Sequence, residues 1–139
     1  MKRGVLFMQM KCYQQALEDF SILSDSGEGE QAAKACFYKA KALRKMGEDG
    51  DAVLHYEQVI RLSEDQHLSG SALYEIAKLR IQQRDFYEAH YNLKRATFFG
   101  FKLKKLNNYK LFAEGVIFLM KRKTKTALKL LTQVAEKIE

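Results

Sequence analysis

The sequence predicts an all-α protein, a solenoid of four antiparallel helix hairpins, and three observations predict it. A small residue is followed twelve positions later by alanine at Gly4/Ala16, Ala40/Ala52, Ala77/Ala89 and Gly115/Ala127. The alanines recur at spacings of 36, 37 and 38 residues, a period characteristic of stacked supersecondary units. Four residues after each alanine stands a large side chain (Phe20, Tyr56, Leu93 or Leu131), and seven after it Leu23, Val59, Ala96 or Val134. Small, large and medium side chains at helical offsets describe one packed face of a helix.

In the first hairpin, Gly4 and Phe7 pair with Ala16 and Phe20 across a turn at Lys11-Cys12. The second shows the pattern most fully. Cys36, Ala40 and Leu43 form one apolar row, Ala52, Tyr56, Val59 and Ile60 the opposing one, and Gly47-Glu48-Asp49-Gly50 turns between them. Small residues at Ala40 and Ala52 let the two axes approach closely, while Leu43 and Tyr56 fill the space around them. The third hairpin turns at Arg84-Asp85 and the fourth at Arg122-Lys123, with longer connections expected at 24–30, 63–70 and 100–107. Eight helices result, in units of roughly 1–29, 30–68, 69–106 and 107–139, forming one array. The absence of proline leaves every helix interior unbroken.

At 139 residues the chain supports one domain, whose core in a solenoid is shared by neighbouring hairpins. The longest apolar run, 116–120, is bracketed by Glu114 and Lys121 and falls far short of the roughly 20 residues a membrane helix requires. Gln9, Lys11 and Gln14 interrupt the apolar stretch that a signal peptide would need after Met1-Lys2-Arg3. A cytoplasmic or nuclear protein without membrane contact is expected. Cys12 and Cys36 form neither a disulfide framework nor a zinc spacing, and His55, His67 and His90 are too far apart for a helical metal pair. Cys36, on the packed row, is read as a small buried hydrophobe and Cys12 as a free thiol. With no Gly-rich phosphate loop, G-x-S-x-G or paired acids placed at a cleft, neither an enzyme nor a cofactor is expected.

These residues resemble the tetratricopeptide repeat (TPR) family, whose units carry a G-x2-Y element and a later A-x3-F element. The first element is matched by Gly4/Phe7 and Gly115/Phe118, and more loosely by Ala40/Leu43. The second is matched by Ala16/Phe20 and Ala52/Tyr56, with Leu93 and Leu131 as apolar substitutes. Arg80 and Thr124 depart from the pattern by standing where aromatics belong. The resemblance covers nearly the whole chain and implies a right-handed superhelix. Extra residues relative to the family repeat are expected in the connections 63–70 and 100–107.

Such an array lines the first helix of each unit along a concave groove that can hold a peptide or partner helix. Lys34, Tyr38, Lys41 and Lys45 form a row distinct from the packed one, so they are expected to face outward, flanked by Phe37 and Arg44. Tyr74 and Lys78 occupy matching positions in the next unit, and Phe112, with Val116 and Leu119, opens an apolar end. The expected ligand carries carboxylates beside apolar anchors, and the expected role is a non-enzymatic scaffold or adaptor. Some family members hold acidic chaperone tails through an asparagine just after the small residue. Val5, Lys41, Lys78 and Val116 stand there instead, so that binding mode does not carry over.

Charge suggests a second reading. Residues 1–69 hold 9 Lys/Arg against 11 Asp/Glu, whereas residues 70–139 hold 15 against 6. Phe98, Phe99, Phe101 and Tyr109 interleave with lysines in that basic half, so nucleic-acid (RNA) binding is the alternative. The terminal hairpins are expected to be unfinished, as in a piece of a longer protein or an oligomer. Leu128 and Ile138 should then be partly exposed and available for self-association.

Overall fold

The turns carry the repeat most plainly. In the computed structural model, which describes residues 1–100, 104–121 and 124–138, eight helices follow one another: α1 (Lys2–Gln9), α2 (Tyr13–Ser26), α3 (Gly29–Lys45), α4 (Asp49–Leu62), α5 (Gln66–Gln82), α6 (Phe86–Phe98), α7 (Lys104–Met120) and α8 (Thr124–Ile138). No strand occurs among the described residues. Between α1 and α2, α3 and α4, and α5 and α6, the chain reverses through a left-handed residue: Lys11 (φ 60°), Gly47 (φ 85°) and Arg84 (φ 60°). The next amide in each case donates five residues back, Cys12 to Phe7, Glu48 to Leu43 and Asp85 to Arg80, at 2.8, 2.9 and 2.8 Å. This is a Schellman closure, satisfying carbonyls that the helix end leaves open. Cys12, Glu48 and Asp85 then adopt nearly one conformation (φ/ψ −90/68°, −87/66° and −93/78°) and their carbonyls accept from Ala16, Ala52 and Ala89. Three turns, 36 and 37 residues apart, are built alike. The fourth expected turn, Arg122-Lys123, lies outside the described residues.

The small-to-large register explains the close helix pairs. A Cβ added at Gly4 would meet Phe20 Cε1 at 2.6 Å, and one at Gly115 would meet Leu131 Cγ at 2.7 Å. Only a bare backbone leaves room for those side chains. Ala16, Ala40, Ala52, Ala77, Ala89 and Ala127 are all fully buried, as are Phe20, Tyr56 and Leu93. Arg3 adds a two-pronged tie to Asp19 across α1 and α2, at 2.7 and 2.8 Å. The bonds from Arg3 hold the Asp19 carboxyl below its ordinary range.

The chain divides into two units, Met1–Ala72 and Leu73–Glu139, with the division inside α5. Within the first, α1 packs on α2, α2 on α3 and α3 on α4; within the second, α6 packs on α7 and α7 on α8.

The connections between hairpins are shorter than expected. Helix α2 runs to Ser26 and α3 starts at Gly29, so most of 24–30 is helical. Likewise α4 begins at Asp49 and takes in Gly50, and α5 begins at Gln66, placing Ser69 and Gly70 inside a helix. Helix α7 begins at Lys104, within the expected 100–107 connection, whose residues 101–103 lie outside the described residues. Helices α3, α5 and α7 each span 17 residues.

Capping accounts for the early start of α5. The Asp65 carboxylate accepts from the amides of His67 and Leu68 at 2.9 and 3.4 Å, covering donors that the helix start leaves open. Glu30, in the first turn of α3, fixes this cap from a distance. Its carboxylate accepts from the Glu64 and Asp65 amides and the Ser63 hydroxyl at 2.5, 3.3 and 2.9 Å. The Glu64 amide, and after it the Ser63 hydroxyl, hold Glu30 below the ordinary glutamate range.

Candidate functional site

Helix α3 has neighbours on both sides, and this decides what its aromatic residues do. Tyr38 stacks on Phe20 of α2 (centroids 5.4 Å apart), Phe37 meets Tyr38 edge-on at 5.9 Å, and Phe37 meets Tyr56 of α4 edge-on at 5.6 Å. Phe20, Tyr38, Phe37 and Tyr56 thus run as one aromatic chain across three helices. Phe37 is buried and Tyr38 half-buried. The outward row expected from periodicity therefore needs correction at Tyr38, and the flanking Phe37 is likewise no groove residue: both rings are committed to packing.

The lysines fare differently. Lys41 holds its ammonium 5.2 Å from the Phe37 ring centre and 6.0 Å from that of Tyr38. Such cation–ring contacts contribute about 0.5–1 kcal/mol at exposed sites and more when desolvated. Lys34 and Lys45 are exposed, and Arg44 is half-buried. The edge of α3 is thus a basic rim over an aromatic floor, with Lys41 anchored on the floor and Lys34 and Lys45 standing in solvent. No ion pair with Lys41 occurs among the described residues.

In the second unit the matching pair repeats this device with one change. Lys78 sits 4.7 Å from the Tyr74 ring centre and also pairs with Glu75 at 3.0 Å. Tyr74 is buried, edge-on to Tyr109 at 5.7 Å, and so is a packing residue rather than an exposed groove wall. Phe112 is half-buried and meets Phe86 edge-on at 5.9 Å. The lysine-over-aromatic arrangement thus recurs 37 residues apart. In the second unit Glu75 already neutralises much of the charge. Glu75 escaped the sequence reading, although its position three residues before Lys78 is the ordinary spacing for a helical ion pair.

Cys36, His55 and His90 each have a side-chain partner. Cys36 is buried beside Gln58, with Sγ 3.8 Å from the amide oxygen, and burial pushes its thiol pKa up. Burial likewise pushes the His55 pKa down, and its Nδ1 lies 3.3 Å from Gln58 Oε1. His90 Nε2 lies 2.7 Å from Glu114 Oε1, joining α6 to α7. No three His, Cys, Asp or Glu side chains among the described residues could hold a metal ion. No helix among those residues is long and apolar enough to cross a membrane. No protein-family model matches the chain, and no curated protein matches it as a relative.

Proposed function

We propose that this chain is a non-enzymatic interaction scaffold or adaptor, a right-handed solenoid of the tetratricopeptide kind that takes a peptide or helix bearing acidic and apolar residues. The observation that carries this reading is Lys41. It is pre-positioned over two packed rings, has no carboxylate partner among the described residues, and lies between exposed Lys34 and Lys45. A cation whose stem is already ordered loses little freedom on meeting a carboxylate, and a cationic rim speeds encounter with an acidic partner. The three like-built turns support a repeat architecture. The buried aromatics beneath the lysines support a rigid floor.

The test is a peptide array in which acidic residues alternate with apolar anchors, probed with wild type and with Lys41→Ala. Because Lys78 already pairs with Glu75, the Lys78→Ala effect should be the smaller of the two. Lys41→Ala should weaken binding about 5–30-fold, the equivalent of roughly 1–2 kcal/mol for a partly desolvated charge pair. Wild-type binding should also weaken as salt rises. Equal affinity of wild type and Lys41→Ala for every bound peptide refutes the assignment.

A further inference from the structure

Helix α6 is buried on one side through Ala89, Asn92, Leu93 and Ala96. Its other side is unusual for a solvated helix. Tyr87, Tyr91 and Phe98 are 48, 57 and 89% exposed, and exposed Lys94 lies between them. At 100° per residue these four positions fall within about 60° of arc, a single stripe roughly 16 Å long. Cations already lie against it: Arg95 is 5.5 Å from the Tyr91 ring centre and Lys121 of α7 is 5.8 Å from that of Tyr87. Exposed aromatics aligned on one face mark a contact surface.

We propose that this stripe is a self-association surface, on which α6 of a second copy of this chain packs antiparallel about a two-fold axis passing between positions 92 and 93. The argument is the order of residues along the stripe. Reversing it about that midpoint sets Tyr87 against Phe98 of the second copy and Tyr91 against Lys94 of the second copy. Both ends become aromatic pairs, and both central contacts become cation–ring pairs. Glu88 and Arg95 lie on the same edge of the stripe, so the reversal also brings each Glu88 beside Arg95 of the other copy. A two-fold interface requires a surface complementary to itself in this reciprocal sense. An acidic ligand has no use for Glu88 on that edge and would leave the aromatic ends unmatched.

One helix pair buries less than the standard area of about 1,600 Å², so the dimer should be weak, with Kd on the order of tens of micromolar. Salt dependence separates it from ligand binding. Residues 73–139 carry 15 Lys/Arg against 6 Asp/Glu, so two copies repel at long range. Screening that repulsion should tighten the dimer, whereas salt should loosen an acidic ligand.

The experiment is sedimentation velocity on the full chain from micromolar to submillimolar concentration, at low and high salt. Wild type should dimerise, and more tightly at high salt. Tyr91→Ala/Phe98→Ala should weaken association at least tenfold without changing the helical circular dichroism, because both side chains are solvent-exposed in the monomer. Glu88→Arg and Arg95→Glu should each weaken it, and the two together should restore it to within about threefold. A chain monomeric throughout overturns the proposal, as does a dimer indifferent to the aromatic substitutions. Failure of the double reversal to recover affinity overturns the antiparallel register and the proposal with it. Assembly that requires added poly-glutamate and fades with salt assigns the stripe to an acidic ligand instead.

Discussion

Replacing Gly115 with alanine should destabilise the protein, although alanine is the better helix former. In a helix interior the exchange gains about 0.8–1 kcal/mol of intrinsic propensity. Here the new methyl would lie 2.7 Å from Leu131 Cγ and 2.8 Å from its Cδ2, with the Ala127 carbonyl oxygen behind at 3.6 Å. Contacts that short force a shift, and because Cγ is the branch point of the side chain, turning its terminal bond does not relieve the clash. Overpacking of this kind costs about 1–3 kcal/mol, so the net effect is a loss of up to roughly 2 kcal/mol. Gly50 provides the control. It lies in the first turn of α4 with nothing within 4 Å of an added Cβ, so Gly50→Ala should stabilise by about 0.4–1 kcal/mol. Urea unfolding of both variants beside wild type, with slopes compared to exclude denatured-state effects, measures the two changes. If Gly115→Ala stabilises as much as Gly50→Ala, α7 and α8 are not in close contact at that point and the small-to-large register is wrong.

The turns and the long-range cap make further predictions. Lys11→Gly and Arg84→Gly should each stabilise by up to about 1 kcal/mol, since an L-residue in the left-handed region is strained, while Gly47→Ala should cost about 1 kcal/mol. Thermal midpoints of the three variants check this, and a common sign for all three contradicts it. Glu30 ionises more readily when folded, so its contribution is fully present above the ordinary glutamate value near 4.5 and is lost as pH falls through the lowered folded value. The stability gap between wild type and Glu30→Gln should therefore be constant from neutral pH to about 5 and shrink below it; a gap constant down to pH 3 contradicts the assigned cause. Leu128 is 68% exposed, so Leu128→Lys should leave stability within about 0.5 kcal/mol. The side chain of Ile138, expected to share that exposure, lies outside the described residues.

The helix pairs, their partners across the hairpin and the positions of three turns were determined by local sequence. A small residue, alanine twelve on and a large residue sixteen on are consequences of helix geometry and steric fit, and both repeat with the chain. Gly4 under Phe20 and Gly115 under Leu131 are that rule in three dimensions. The lengths of the connections were decided elsewhere. Polar residues in 63–70 read as a loop although Asp65 caps α5 locally; the segment carrying that cap is held by Glu30, 33 to 35 positions away, and no local pattern announces that bond. The candidate site shows the same division. Lysines four residues after an aromatic were legible, and so was their recurrence. That Tyr38 is packed rather than open depended on α2 lying along the other side of α3, while Phe37 is closed off by Tyr56 of α4. Phasing one hairpin identifies only the face turned to its own partner. A helix with two neighbours buries two faces, and the second is set by tertiary packing.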